Sequence, residues 1–137
     1  MKTQQERLEA LARFVPIFLE PGFQFGIWND VPPDESGVWS LPWFTRSKAA
    51  TEFVKACYEF EWVQWANWIG WRDTEAGNRL MDSPEQVSKA SAGELKIMLA
   101  VFVRGDRFCE GELNSAFDRG FLTAIVQRAA ALLVETK

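Results

Sequence analysis

The chain predicts a mainly α, single-domain helical bundle that leaves room for a short β-hairpin near residues 23–44. Three observations carry this expectation. Apolar residues recur at helical spacing through both ends of the chain, and sequences suited to capping boxes stand at Thr3–Glu6 and Ser91–Glu94. Between the helical ends, residues 20–46 change character: five of the six prolines fall between Pro16 and Pro42. At 137 residues the chain is long enough to bury about two thirds of its unfolded surface in one core.

The first helix should run from about residue 4 to 19. Leu8, Leu11, Val15 and Phe18 form its stripe, widened by Phe14 and Leu19. Pro16 lacks a donor for an interior bond, so the helix kinks there or ends near Val15 and restarts. Phe23, Phe25 and Ile27 then alternate as in a strand, with Val38, Trp39, Leu41 and Trp43 as a candidate partner strand. The intervening NDVPPDESG is acidic and rich in turn formers, and Pro42 confines the second strand to an edge.

A second helix is expected from Ser47 to about Phe60, burying Phe53, Val54, Cys57 and Tyr58, with residues 62–71 continuing helically toward residue 79. Ser83–Pro84, with Gln86 completing a capping box, marks a short helix. After Ser91, Leu95, Met98, Leu99, Phe102 and Val103 share one face of a helix ending near Arg104, where Gly105 and Asp106 punctuate. A further helix spans about Phe108 to Arg119 and buries Leu113, Ala116 and Phe117. Gly120 stops it, and Leu122, Ile125, Val126, Ala129, Leu132 and Leu133 line a last helix to about Glu135.

Composition narrows the function. Hydrophobic residues make up 47% and charged residues 25%, which is globular rather than disordered. The net charge is −4, and neither half of the chain has an excess of Lys and Arg over Asp and Glu, which disfavours nucleic-acid binding through phosphate neutralisation. No run approaches the roughly 18 apolar residues of a membrane span, and the N-terminal MKTQQERLEALARF lacks a signal peptide's apolar stretch, so the expectation is a cytoplasmic protein without a membrane partner. Cys57 and Cys109 are expected as free thiols. With no histidine, a structural zinc site and every histidine-based triad or dyad are excluded, and no metal or cofactor is expected. Catalysis would rest on carboxylates, Lys, Tyr58 or an activated Cys.

Two constellations remain. All seven tryptophans lie between Trp28 and Trp71, and Trp62, Trp65, Trp68 and Trp71 recur every third residue. On a helix each such step turns the side chain by about −60°, so the first and last point to opposite faces and one buried stripe cannot hold all four. Core packing accounts for most of them, and a surface indole could receive a cation, sugar, base or partner side chain. The second constellation, Arg104 to Leu113, places five charges within nine positions at an expected interhelical turn. Its plain reading is helix capping, with Asp106 at the N-terminus of the following helix. Its functional reading brings Asp106, Arg107 and Glu110 together beside an aromatic pocket. A helix-turn-helix over residues 91–134 is disfavoured, because residues 108–119 carry Glu110, Glu112 and Asp118 where a duplex reader needs cations.

Val103 to Gly120 fits a box V-R-x-D-R-F-x-E-G-x-L-x-x-x-F-x-x-G. Together with LARFVPIFLEPGFQFG, LPWF at 41–44 and NWIGWRDTEA at 67–76, it resembles a family of small uncharacterised bacterial proteins. The resemblance covers nearly the whole chain and implies a bacterial source, one domain and a largely helical fold, with no substrate or catalytic residue to carry over. The leading functional expectation is a non-enzymatic module binding a protein partner, a second copy or a small molecule through Trp62, Trp65, Trp68, Trp71 and the turn residues Asp106, Arg107 and Glu110. The alternative is a small enzyme with Asp106 or Glu110 as general acid/base and Arg107 holding an anionic substrate.

Overall fold

A computed structural model describes residues 2–29, 32–33, 35–37, 43–63, 68–108 and 111–135, with backbone alone at Trp68, Ile69, Arg107 and Phe108. The fold is mainly α with one two-stranded hairpin. Helix α1 (Gln4–Ala12) opens on the expected box: the Glu6 N–H donates to the Thr3 hydroxyl at 3.1 Å and the Thr3 N–H to the Glu6 carboxylate at 3.2 Å. The chain breaks at Arg13–Phe14 and restarts as α2 (Val15–Phe18). There Pro16 sits in the first turn, where a missing N–H costs nothing.

Strands β1 (Gly26–Asn29) and β2 (Trp43–Arg46) pair antiparallel, Trp28 opposite Phe44 and Ile27 opposite Thr45. The ladder starts later than the alternation suggests because Phe23 and Phe25 are taken by the core. Both rings pack on Phe18 and Phe117, Phe25 stacking on Phe117 at 5.0 Å. Val38, Trp39, Leu41 and Pro42 lie outside the described residues.

Helix α3 (Lys48–Glu59) starts at Ser47, whose hydroxyl accepts the Ala50 N–H at 3.1 Å. Phe53 and Cys57 are buried as expected, and Val54 is half-buried against the core. Tyr58 is not buried; it is 39% exposed. Five residues beyond Phe53 it is rotated by about 140°, off the buried stripe.

The expected helical continuation from 62 toward 79 is also corrected. Glu61 takes φ 62°, its N–H reaches the Tyr58 carbonyl at 3.2 Å, and the Trp62 N–H reaches the Cys57 carbonyl at 2.8 Å. This pair of bonds is a Schellman ending, which glycine usually makes and a glutamate makes here. Helices α4 (Trp68–Trp71) and α5 (Glu75–Asp82) follow, α5 capped by the Thr74 hydroxyl, which accepts the Gly77 N–H at 3.1 Å. The short helix Pro84–Lys89 is of the 3-10 kind and is capped by Ser83. Gln86 completes no box with it; the Gln86 N–H donates to the Ser83 carbonyl at 3.1 Å.

Helix α6 (Ala92–Phe108) opens on the Ser91–Glu94 box, with both bonds within 3.1 Å. It passes Arg104, Gly105 and Asp106 without stopping and runs on to Phe108. One interior glycine costs about 1 kcal/mol, less than the packing of the turns around it returns. Helices α7 (Glu112–Asp118) and α8 (Phe121–Glu135) complete the chain. Helix α8 packs along α1, α2, α7 and the 3-10 helix, and α6 packs on α4 and α7. One buried cluster links Leu8 and Leu11 to Phe53, Phe102, Ile125 and Ala129, and no described polar or charged residue is fully buried in it. No helix among the described residues is long and apolar enough to cross a membrane.

Candidate functional site

The hairpin is fastened to the helices at the α6–α7 turn. Arg46, at the end of β2, extends its Nη2 to the Asp106 carboxylate of α6 at 2.7 Å. The other Asp106 oxygen accepts the Gly111 N–H at 3.0 Å and the Leu113 N–H at 3.1 Å. One carboxylate thus closes the last turn of α6 onto the first of α7 and anchors the sheet. The free N–H groups of a helix N-terminus favour a negative charge at that point. Asp106 caps the following helix as the sequence suggests, but it does so from within the preceding helix.

Gly111 makes the second fastening. It is left-handed, φ 97°, and a β-carbon there would lie 3.0 Å from the Trp28 indole. Backbone geometry and close approach of the ring both require glycine. Trp28 in turn meets Phe44 edge-on at 5.3 Å between ring centroids. Phe44, Thr45, Arg46, Thr51, Asp106 and Gly111 line a cleft of about 470 Å³ between hairpin and helices.

The two strands expose their other side. Ile27, Trp28 and Trp43 are 52%, 49% and 45% exposed, three of the six large apolar residues that are exposed among those described. The register puts Ile27 and Trp43 on one face and Trp28 with Phe44 and Arg46 on the other, where Trp28 packs at Gly111 while keeping half its surface exposed. Asn29 spans this outer face, donating to the Thr45 hydroxyl at 2.6 Å and the Trp43 carbonyl at 3.2 Å.

The residues expected to form a site scatter. Trp62 is 2% exposed, and its indole N–H donates to the Arg7 carbonyl at 3.0 Å, so it is a core residue with a satisfied polar edge and presents no surface. Trp71 is half-buried against the core, its carbonyl accepting the Thr74 hydroxyl at 2.6 Å. Trp65 and Glu110 lie outside the described residues, as does Cys109, and the Trp68 and Arg107 side chains are not described. Asp106 is half-buried, and its oxygens are committed to Arg46 and two backbone donors. A proton-transfer role would have to break those bonds. Cys57 is fully buried, and burial pushes its thiol well above its ordinary value of 9.0, which leaves it protonated and unreactive. Among the described residues no three His, Cys, Asp or Glu side chains converge as metal ligands.

Sequence reasoning missed Ile27, Trp28, Trp43 and Arg46. Adjacent Ile27 and Trp28 in a four-residue strand were a usable signal, since alternation cannot bury both. Arg46 left none, because its partner is 60 residues away.

The fold and site describe a helical protein that carries an aromatic hairpin on a capped helix turn. A model described as Family of unknown function (DUF6508) matches residues 3–135, and the chain belongs to that family. No curated protein and no solved structure matches the chain.

Proposed function

We propose that this chain is a non-enzymatic, one-domain binding module that meets a protein or small-molecule partner through the aromatic surface of its hairpin. The carrying observation is the exposure of Ile27 and Trp43 on the outer face of one pair of short strands, with Trp28 half-exposed on the other face. A two-stranded hairpin is marginal by itself, and leaving two indoles in water forgoes burial of about 25 cal/mol per Å². Large apolar side chains left exposed together on one face favour an interaction site. The committed hydrogen bonds of Asp106 weigh against it as the general acid/base of the enzymatic alternative, whose other candidate, Glu110, lies outside the described residues. The single buried cluster supports one domain, and the family resemblance of the sequence supports a bacterial source.

The test is the double variant Ile27→Ala/Trp43→Ala. Its far-UV circular dichroism should match wild type, because both side chains are exposed on the outer face. Wild type should show a sedimentation coefficient that rises with concentration, or a ligand-induced rise in melting temperature across a peptide and small-molecule panel, and the variant should lose it. Identical behaviour of the two proteins in both measurements would remove the proposal.

A further inference from the structure

We infer that a pocket between α1 and the start of α6, with no lining residue from the hairpin, binds a phosphate group. Arg7 of α1, Glu61 and Trp62 beyond α3, and Ala92, Gly93 and Lys96 of α6 line a cavity of about 220 Å³ there. Two of these side chains are cations and one is an anion, so the lining is positive in a chain whose total charge is −4. Arg7 is poorly supplied with acceptors. Its Nη2 reaches the Glu61 carboxylate at 3.2 Å, while its Nε is enclosed with no acceptor, the one such side-chain atom among the described residues. A guanidinium carries five N–H donors, and a single carboxylate leaves most of them unmatched.

The backbone supplies further donors. In the Ser91–Glu94 box the N–H groups of Ser91 and Glu94 are satisfied, and the Leu95 N–H reaches the Ser91 carbonyl at 3.0 Å. The Ala92 and Gly93 N–H groups, in the first turn of a 17-residue helix, have no acceptor among the described residues. Unused N–H groups at a helix start attract anions. No contact in the fold requires glycine at 93, since a β-carbon there would meet nothing nearer than the Ser91 Oγ at 3.8 Å, and a helical glycine costs stability. The missing side chain instead opens the amide to close approach of a ligand. Lys96, one turn further along α6, adds the second cation. These donors come from two helices and from both backbone and side chains, which suits the tetrahedral oxygens of phosphate better than the planar pair of a carboxylate. Glu61 is the built-in competitor, because it holds Arg7 until an anion replaces it.

The probes are inorganic phosphate, glycerol 3-phosphate and acetate, each titrated at millimolar concentration and fixed ionic strength against the full chain by isothermal calorimetry. Both phosphates should bind and acetate should not. Tighter binding of the ester makes a phosphorylated small molecule the source of the group, and tighter binding of phosphate makes it the free ion; either supports the site. Lys96→Gln should weaken phosphate about ten-fold through loss of one charge-assisted hydrogen bond. Gly93→Ala should raise the melting temperature of the free protein yet weaken phosphate several-fold, a pairing of signs that a purely structural glycine would not give. Glu61→Gln, which removes the competitor, should tighten binding. Circular dichroism should be unchanged in all three variants. No phosphate binding by wild type, equal binding of acetate, or wild-type affinity in both Lys96→Gln and Gly93→Ala would overturn the inference. The hairpin reading is tested by its own variant and is untouched by any of these results.

Discussion

Asp106 and Cys57 show how single residues are assigned by their surroundings. Asp106 accepts three hydrogen bonds from two elements besides its own helix, so truncation removes a cap, an ion pair and the hairpin anchor together. Asp106→Ala should lower stability by about 1–3 kcal/mol in urea denaturation, and Asp106→Asn, which keeps an acceptor for the Gly111 and Leu113 N–H groups, should cost less. Wild-type stability in the alanine variant would contradict the structural role. For Cys57 the sign of the pH effect follows from burial. The folded thiol keeps its proton where the unfolded thiol loses it, so stability is intact below pH 9.0 and declines as pH rises above that value. Between about pH 8 and pH 10 wild type should lose up to about 1 kcal/mol more stability than Cys57→Ala, read from melting curves at each pH.

Helix boundaries were legible where they depend on local chemistry. Thr3, Ser47 and Ser91 cap the helices expected from them, because an N-cap needs only a hydroxyl and a free N–H a few residues on. Boundaries set by tertiary demand were not. Glu61 adopts a left-handed turn with no glycine to announce it, and α6 overruns Gly105 and Asp106 because Asp106 serves α7. Two glycines in this region make a prediction of opposite signs. Gly105 lies within α6, and a β-carbon there would meet the Glu112 side chain at 3.4 Å, an ordinary contact. Gly105→Ala should therefore stabilise by about 0.4–1 kcal/mol. Gly111→Ala meets both a left-handed backbone and the Trp28 ring, and should destabilise by about 1–3 kcal/mol with a shift in tryptophan emission. Urea titration of both variants checks the contrast.

The whole molecule is held by rings that converge from distant parts of the chain. Phe18 touches Phe14, Phe23, Phe25, Phe53 and Phe117, with centroid separations of 5.3 to 6.1 Å, and so joins α2, the base of the hairpin, α3 and α7. Phe18→Ala should cost about 3–5 kcal/mol. In wild type the ring bridges these elements, so hairpin and helices should unfold in one transition, seen as coincident fluorescence and circular dichroism curves. Separate transitions would show the hairpin to be an independent unit. The same convergence decides which aromatics are left over for binding. Trp62 is drawn inward by the Arg7 carbonyl, while Trp43 stays outside because the sheet has only one face against the helices.

Periodicity, capping sequences and proline placement are local quantities, and by themselves they determined a mainly helical chain, a break near Pro16, a hairpin in the proline-rich region and most of the core positions on α6 and α8. Composition alone determined that no histidine chemistry is available. Which indoles are enclosed, where α3 ends, and that Arg46 meets Asp106 were decided by tertiary structure. Each depends on groups that are far apart along the chain, and a linear pattern carries no record of distance in space.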